Sequence, residues 1–403
     1  MYVLMPKATH SLHMKKPFQR HLAPLYIVTL LLVFHTSVII FINSSYLEQF
    51  LTTSAVGTIY TIGSALSILI FLFVSRVLHA VGNYRLTMGL LALNLLAVTG
   101  MAFADSLREA VPLFLTHVVT LPLIIFNIDV FMEEQSGESE GTTGSKRGLL
   151  LALASLIGAI SPIVSTSLVN ETTGSFSMAY IASAVALIPV IALITFYFKD
   201  FTDPKYNEVK VFSAIRSFWI NLNIRNIFLC QFSLQMFFMF MVVYTPLYLT
   251  GTIGLTWIEF GFVMFFAQLA YVILEFPLGI LADKYIGEKE ILGFGLLVII
   301  ISTSWISFVT ASSVVVWSVI LFITRVGASF VEVATESYFF KQIDGSDAQI
   351  ISFFRITRPL AYVLGTLIAS LALLYVPFNL LFIVAAAILI PSLFFTINIE
   401  DTK

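Results

Sequence analysis

The sequence predicts an all-α membrane protein with twelve spanning helices in two pseudo-symmetric six-helix bundles. The chain has 403 residues, a mean hydropathy of +0.97 and only 11% charged residues, whereas a soluble protein carries about 25%. It contains twelve apolar runs of about 20 residues, the length at which a helix crosses ~30 Å of hydrocarbon. Its two halves also share residues at a constant spacing.

The twelve predicted segments follow from this length criterion and are numbered here in chain order. Short gaps near residues 312 and 376 separate the last pairs of segments. The predicted spans are 22–43, 54–77, 86–105, 110–132, 148–170, 176–198, 226–250, 257–281, 290–311, 313–340, 352–375 and 377–396.

A long connection between segments 6 and 7 divides the chain into two bundles. Within it, Lys210 to Leu222 places apolar residues at helical spacing, which predicts a helix lying on the inner membrane surface. The predicted division is a cytoplasmic N-terminal segment (1–21), an N-terminal bundle (22–198), a cytoplasmic linker with the amphipathic helix (199–225), a C-terminal bundle (226–396) and a cytoplasmic tail (397–403).

The placement of basic residues predicts the orientation in the membrane. With the N-terminus inside, 19 of the 21 Lys and Arg residues fall on the cytoplasmic side, as the positive-inside rule expects. Arg108 alone lies outside and Arg325 lies within the membrane. We therefore expect an integral protein of the cytoplasmic (inner) membrane of a prokaryote, surrounded by lipid, with both termini cytoplasmic.

The two halves resemble each other in sequence. Because an even number of spans restores the orientation, two six-segment halves form a parallel repeat, an arrangement typical of transporters with a site near the midplane. Gly57, Ser75 and His79 align with Gly261, Gly279 and Asp283 at an offset of 204, and Asp129 aligns with Glu336 at an offset of 207.

The short loop after segment 8 carries a recognisable motif. Gly279-Ile-Leu-Ala-Asp283-Lys284 resembles the loop motif of the major facilitator superfamily, roughly Gly-x-x-x-Asp-Arg/Lys-x-Gly-Arg-Arg/Lys. The match is incomplete, because Gly287 comes one residue late and Glu288 follows it in place of a base. This resemblance implies alternating access about a midplane site and a gating role for Gly279, Asp283 and Lys284. The first half departs from the motif, because Ser75 and His79 stand where the family has Gly and Asp.

Segment 10 carries three charges on one stripe. Arg325, Glu332 and Glu336 are spaced i, i+7 and i+11, which places them within ~40° of one another on a helix. Either these charges pair with neighbouring helices and stabilise packing, or a Glu binds a proton or cation while Arg325 tunes its affinity. A third possibility is direct contact between Arg325 and an anionic substrate group.

Further charged residues fit either coupling or gating. Asp129 in segment 4 is a second coupling candidate or an interface anchor. Glu275 in segment 8 is expected in the gate, with a salt bridge to a cytoplasmic base as one possibility. Arg355 and Arg358 precede segment 11 and either anchor it at the interface or pair with acids of the gate. Four intramembrane acids against one base favour protons or cationic substrates.

Uncharged polar residues and histidines within the segments are candidates for a substrate cavity. Such residues often hydrogen-bond between helices instead, and His35 could also relay protons. The candidates are His35, Asn43, Gln235, Tyr244 and Gln268.

The sequence also argues against several function classes. It contains no nucleotide-binding or hydrolase motif and no metal-ligand pattern, its single Cys230 makes a Cys-based metal site impossible, and no basic surplus points to nucleic acid. We therefore expect no cofactor, no metal and no enzymatic activity. The prediction is a monomeric secondary active transporter of a small organic solute, coupled to protons, with a lean to export. The alternatives are proton-driven uptake of a sugar or other metabolite, an uncoupled uniporter and, more remotely, a membrane enzyme acting on lipid or a receptor without transport.

Overall fold

The computed structural model describes residues 22–136, 140–203, 219–284, 286–342, 354 and 356–400. Across these residues the chain is almost entirely helical, as the composition predicts. The twelve long helices are α1 (Leu22–Ile39), α2 (Thr53–Val81), α3 (Asn83–Met101), α4 (Leu107–Ser136), α5 (Glu140–Ser167), α6 (Ser177–Phe198), α7 (Leu222–Leu247), α8 (Trp257–Lys284), α9 (Glu288–Ile306), α10 (Val314–Gln342), α11 (Thr357–Ala372) and α12 (Leu381–Ile397).

Most of these helices are long and apolar enough to cross a bilayer. Within the described ranges, ten spans meet both criteria. In α5 and α11 the apolar stretches found among the described residues are shorter, Leu153–Ser167 and Thr357–Ala372. The helices are consistent with the twelve predicted segments.

Several helix boundaries differ from the predicted ones. The helix α5 begins at Glu140, well before the predicted 148, because an α-helix can continue past the hydrocarbon with its backbone hydrogen bonds intact. Segment 1 is split, since α1 ends at Ile39 and a short helix follows at Asn43–Glu48. The helix α7 continues through a π-helical turn, Tyr248–Thr252. Residues 210–218, which are most of the predicted amphipathic helix at 210–222, lie outside the described residues.

Two faces of the bundle are defined by the ends of α2 and α8. The distal face is where both helices begin, and the terminal face is where both end. The basic residues predict that the terminal face is cytoplasmic. The halves meet along two helix pairs, α5 with α8 and α2 with α11, so those four helices form much of the interface between the bundles.

Candidate functional site

Arg325 on α10 is a deeply buried cation in the described part of the chain. Its side chain is 2% exposed, and its Cζ lies 5.3 Å from the centre of the Phe237 ring of α7. The Nε and Nη1 atoms have no hydrogen-bond partner among the described residues. Arg325 interacts electrostatically with Tyr271 of α8 and with Glu332, two turns along its own helix.

A stripe of polar side chains on α8 faces this cation. Gln268, Tyr271 and Glu275 are spaced i, i+3 and i+7, which places them on one side of the helix. Tyr271 interacts electrostatically with Arg325, Glu332 and Glu275. Arg325, Glu332, Tyr271 and Glu275 therefore form one cluster between two closely packed helices, which we call the α8–α10 cluster.

Glu275 connects this cluster to the other half of the protein. The Ser155 hydroxyl of α5 donates to Glu275 Oε2 at 3.1 Å. The partner seen for Glu275 is thus a hydroxyl of the opposite bundle, where the sequence suggested a cytoplasmic base. Since Glu275 is only half-buried, the α8–α10 cluster begins at the interface between the bundles and continues into the C-terminal one.

The bundles approach each other closely at the distal end of α2 and α11. A Cβ built on Gly57 would lie 2.3 Å from Ser370 Oγ, 2.4 Å from the Tyr244 hydroxyl and 3.3 Å from the Thr366 carbonyl oxygen. Only a residue without a side chain fits there. Tyr244, expected in the cavity, instead donates from its hydroxyl to the Thr366 carbonyl at 3.5 Å.

The second helix pair makes the equivalent contact. A Cβ on Gly261 of α8 would lie 2.0 Å from Thr166 Oγ1 and 3.2 Å from the Pro162 carbonyl oxygen of α5. The two contacts therefore obey the internal repeat, and we call them the glycine contacts. The offset of 204 relates Gly57 to Gly261, Pro162 to Thr366, and Thr166 to Ser370.

Hydrogen bonds reinforce this distal closure. The Thr61 and Thr366 hydroxyl oxygens lie 2.7 Å apart, and Ser370 Oγ donates to the Ser54 carbonyl at 2.9 Å. On the other pair, the Ile258 amide donates to Glu171 Oε1 at 3.3 Å. These contacts cross from one bundle to the other at the distal face.

Two predicted cavity residues lie instead in a hydrogen-bond network inside the N-terminal bundle. His35 Nδ1 lies 2.7 Å from Ser183 Oγ, which donates to the His35 carbonyl at 2.8 Å. The His117 ring packs edge-on at a centroid distance of 5.7 Å. Asn43 Oδ1 accepts from the Tyr180 hydroxyl at 2.8 Å. Both His35 and Asn43 thus join α6 to the first span.

The remaining predicted residues are dispersed. Those with described side chains differ widely in exposure, and three others lie partly or wholly outside the described residues. Glu336 of α10 is half-buried, Gln235 of α7 is buried, and Asp129 of α4 and Arg358 of α11 are exposed. A Cβ built on Gly279 would meet open space. Asp283 and Lys284 end α8 and their side chains are not described, and Arg355 lies outside the described residues.

Sequence reasoning missed the residue that completes the α2–α3 turn. Asp203, after α6, accepts from the Asn83 amide at 2.8 Å through Oδ1. Gly82 in this turn has a φ of +85°, which favours glycine. The turn borders a cavity of about 430 Å³ lined by His79, Arg85 and Asp203, among others. The segment after α6 thus brings a carboxylate to the same cavity as His79, which stands where the family motif has an acid.

The fold and the repeat are those of a known transporter family. The family model of the Major Facilitator Superfamily matches residues 25–344 and 227–402. The chain belongs to this superfamily, as its loop motif suggested, and is an integral membrane protein of the transporter type.

Solved transporters share this fold at low sequence identity. A crystal structure of a mutant nucleoside transporter, NupG, matches with a TM-score of 0.69 and 12% identity over 94% of this chain and 99% of that chain. The in meso structure of the POT family transporter PepTSo matches with a TM-score of 0.73 and 10% sequence identity, over 95% of this chain and 98% of that chain. A POT family transporter in complex with 5-aminolevulinic acid matches with a TM-score of 0.71 and 14% sequence identity, over 93% of this chain and 95% of that chain. No curated protein matches the chain.

Proposed function

We propose that this protein is a secondary active transporter that moves a small organic solute by alternating access and couples that movement to protons. The observation that carries the proposal is the α8–α10 cluster. In it, the Tyr271 hydroxyl lies in electrostatic range of a buried guanidinium and of two carboxylates, and one carboxylate contacts the opposite bundle.

Glu332 is the proposed proton site. Its side chain is half-buried and interacts with Arg325 and Tyr271. Burial favours the protonated carboxyl, whereas a nearby guanidinium favours the carboxylate. These opposing effects poise the group to load and release a proton as its distance from Arg325 changes during the transport cycle.

The glycine contacts mark where the two bundles would separate during the transport cycle. They close the distal face in this conformation, so we propose that the solute exchanges with the terminal side here and with the distal side after the bundles rock apart. Glu275 and Ser155 sit at the same α5–α8 seam. The same rocking that opens the seam therefore changes the surroundings of the α8–α10 cluster, which links proton binding to access.

The related folds agree with a small polar organic cargo. NupG is a nucleoside transporter, and a POT family transporter is solved with 5-aminolevulinic acid. We propose a cargo of that size, and we leave the choice between nucleoside, amino-acid-like and other solutes to the assay.

The test is reconstitution into liposomes that contain a pH-sensitive dye, followed by addition of pooled metabolites and drugs. An active pool should drive proton movement in the native protein and in the exposed control Glu290→Gln, but not in Glu332→Gln. Solute flux with no proton movement in the native protein would refute coupling and leave a uniporter or a carrier driven by another ion.

A further inference from the structure

The guanidinium of Arg325 lacks the partners that a buried cation needs. Nε carries one N–H donor and Nη1 carries two, and neither atom has a hydrogen-bond partner among the described residues. The side chain is only 2% exposed. Because a buried charge is costly unless it is paired and hydrogen-bonded, these donors indicate an acceptor that arrives with a ligand.

The neighbouring polar atoms show the same deficit. The Tyr271 hydroxyl and Gln268 Oε1 are also buried without a hydrogen-bond partner in the described part of the chain. They lie one turn apart on the α8 stripe, and Tyr271 interacts electrostatically with Arg325. The unpaired donors of Arg325 on α10 therefore lie in electrostatic range of the unpaired Tyr271 hydroxyl, and the unpaired Gln268 Oε1 lies one turn away on α8.

Aromatic rings complete the surroundings of this guanidinium. The Phe237 ring lies under Arg325 at 5.3 Å, and the Phe238 ring lies 6.4 Å from that of Tyr271. Ligand sites typically combine an apolar, aromatic lining with a few placed polar groups. The apolar part of a ligand can pack on these rings while its charged group meets Arg325.

We propose that Arg325 binds an anionic group of the transported solute, a carboxylate on an apolar or ring-bearing body. This inference rests on the proposed transport function and names its substrate class as organic anions. It differs from the cationic cargo that the excess of intramembrane acids suggested, because Asp129 is exposed and Glu336 only half-buried, whereas Arg325 is enclosed.

Glu332 competes with such an anion. The titratable groups that interact with Arg325 are Glu332 on its own helix and Tyr271 on α8, and Glu275 of α8 interacts in turn with Tyr271. On α9, Glu288 pairs with Lys341 at the terminal face, ~24 Å along α10. Ionised Glu332 partly neutralises the positive charge of Arg325 and repels an anion. Neutralising Glu332 should therefore strengthen anion binding. Proton loading and anion loading would then favour each other.

The first experiment measures binding to the purified protein in detergent, without transport. The probes are phenylacetate and related ring-bearing carboxylates, each compared with its amide and its amine. Carboxylates should bind and raise the melting temperature, and their amides and amines should not. Affinity should fall about thirtyfold or more in Arg325→Gln and rise in Glu332→Gln.

The control is Arg76→Gln, because Arg76 also lies over a phenylalanine ring, at 5.6 Å from Phe73, but is exposed on α2. It should leave binding unchanged. Arg325→Lys keeps the charge and loses the guanidinium fork, so it should retain weaker binding and serves if Arg325→Gln does not fold. Equal binding of carboxylates and amides, no binding of any carboxylate, or unaltered affinity in Arg325→Gln would overturn the proposal.

Liposome flux separates this inference from the transport proposal. Carboxylate binding at Arg325 without any flux would support the anion site and refute transport. Flux of neutral or cationic solutes that ignores every carboxylate would support transport and refute the anion site.

Discussion

The glycine contacts predict that a single methyl group shifts the conformational equilibrium of this transporter. In Gly261→Ala the new Cβ would lie 2.0 Å from Thr166 Oγ1 and 3.1 Å from Thr166 Cβ. Real Cβ atoms do not approach so closely. Rotation of Thr166 can move Oγ1, but Thr166 Cβ at 3.1 Å and the Pro162 carbonyl oxygen at 3.2 Å stay too close, so we expect α5 and α8 to separate at the distal face. The clash exists only while the distal face is closed, because opening carries the two helices apart.

The size of the effect follows from this geometry. An extra methyl forced into a packed contact costs about 1–3 kcal/mol. Since that cost falls on the distal-closed state alone, the ratio of distal-open to distal-closed protein should rise about 5- to 150-fold. Gly57→Ala meets two hydroxyl oxygens at 2.3 and 2.4 Å and should act in the same direction, although side-chain rotation can relieve part of its clash.

Distances between spin labels across the distal face report this equilibrium. Asp105 and Ser312 are exposed in loops of opposite bundles and accept labels as cysteines in a Cys230→Ala background. Double electron–electron resonance should show a longer-distance population in Gly261→Ala. Removing the closest clashing atom with Thr166→Ala should restore part of the native distribution.

Gly158→Ala is the matched control, because it adds the same methyl to α5 where a Cβ would meet nothing within 4 Å. It should leave the distance distribution unchanged. An unaltered distribution in Gly261→Ala, or an equal shift in Gly158→Ala, would refute the idea that this contact holds the distal face closed.

Three further variants test individual hydrogen bonds. Asp203→Ala removes the acceptor of the first α3 amide and should lower the free energy of unfolding by about 1 kcal/mol. The measurement is the melting temperature in detergent, and an unchanged value would show that Asp203 does not stabilise the start of α3. Tyr180→Phe leaves Asn43 Oδ1 without its donor and should lower the free energy of unfolding by about 1 kcal/mol. Solute affinity should stay unaltered, and a loss of affinity would indicate that Asn43 lies in the substrate cavity. Ser155→Ala removes the hydroxyl that binds Glu275. In the spin-label assay it should raise the distal-open population severalfold, and no change would mean that this bond does not hold the bundles together.

The sequence predicted much of the fold and part of the candidate site, for local reasons. Length and hydropathy located the spans, because a helix that crosses a bilayer must satisfy its backbone internally over a fixed thickness. Helical periodicity placed Arg325 and Glu332 on one stripe, and the structure brings them into electrostatic range. The same periodicity on α8 could have added Tyr271, which lies between Gln268 and Glu275 on their stripe.

Other positions depended on contacts between helices far apart in the chain. His35 and Asn43 were expected in the cavity, but Ser183 and Tyr180 of α6 bind them. Nothing in their own segments shows which neighbour faces them. Asp203 is an unremarkable loop acid until the fold brings it to the start of α3.

The sequence by itself determined that this chain lies in a membrane, that its halves repeat, and how deep each charged residue sits along its helix. Those properties depend on hydropathy and on distance along one helix, which are local. Only the tertiary structure decided that Gly57 and Gly261 meet the fifth helix of the opposite half and that Ser155 binds Glu275. It also decided that Arg325 is enclosed with two nitrogens that have no hydrogen-bond partner among the described residues. Lateral contacts between helices arise from the packing of the whole bundle, and a linear pattern does not specify which faces meet.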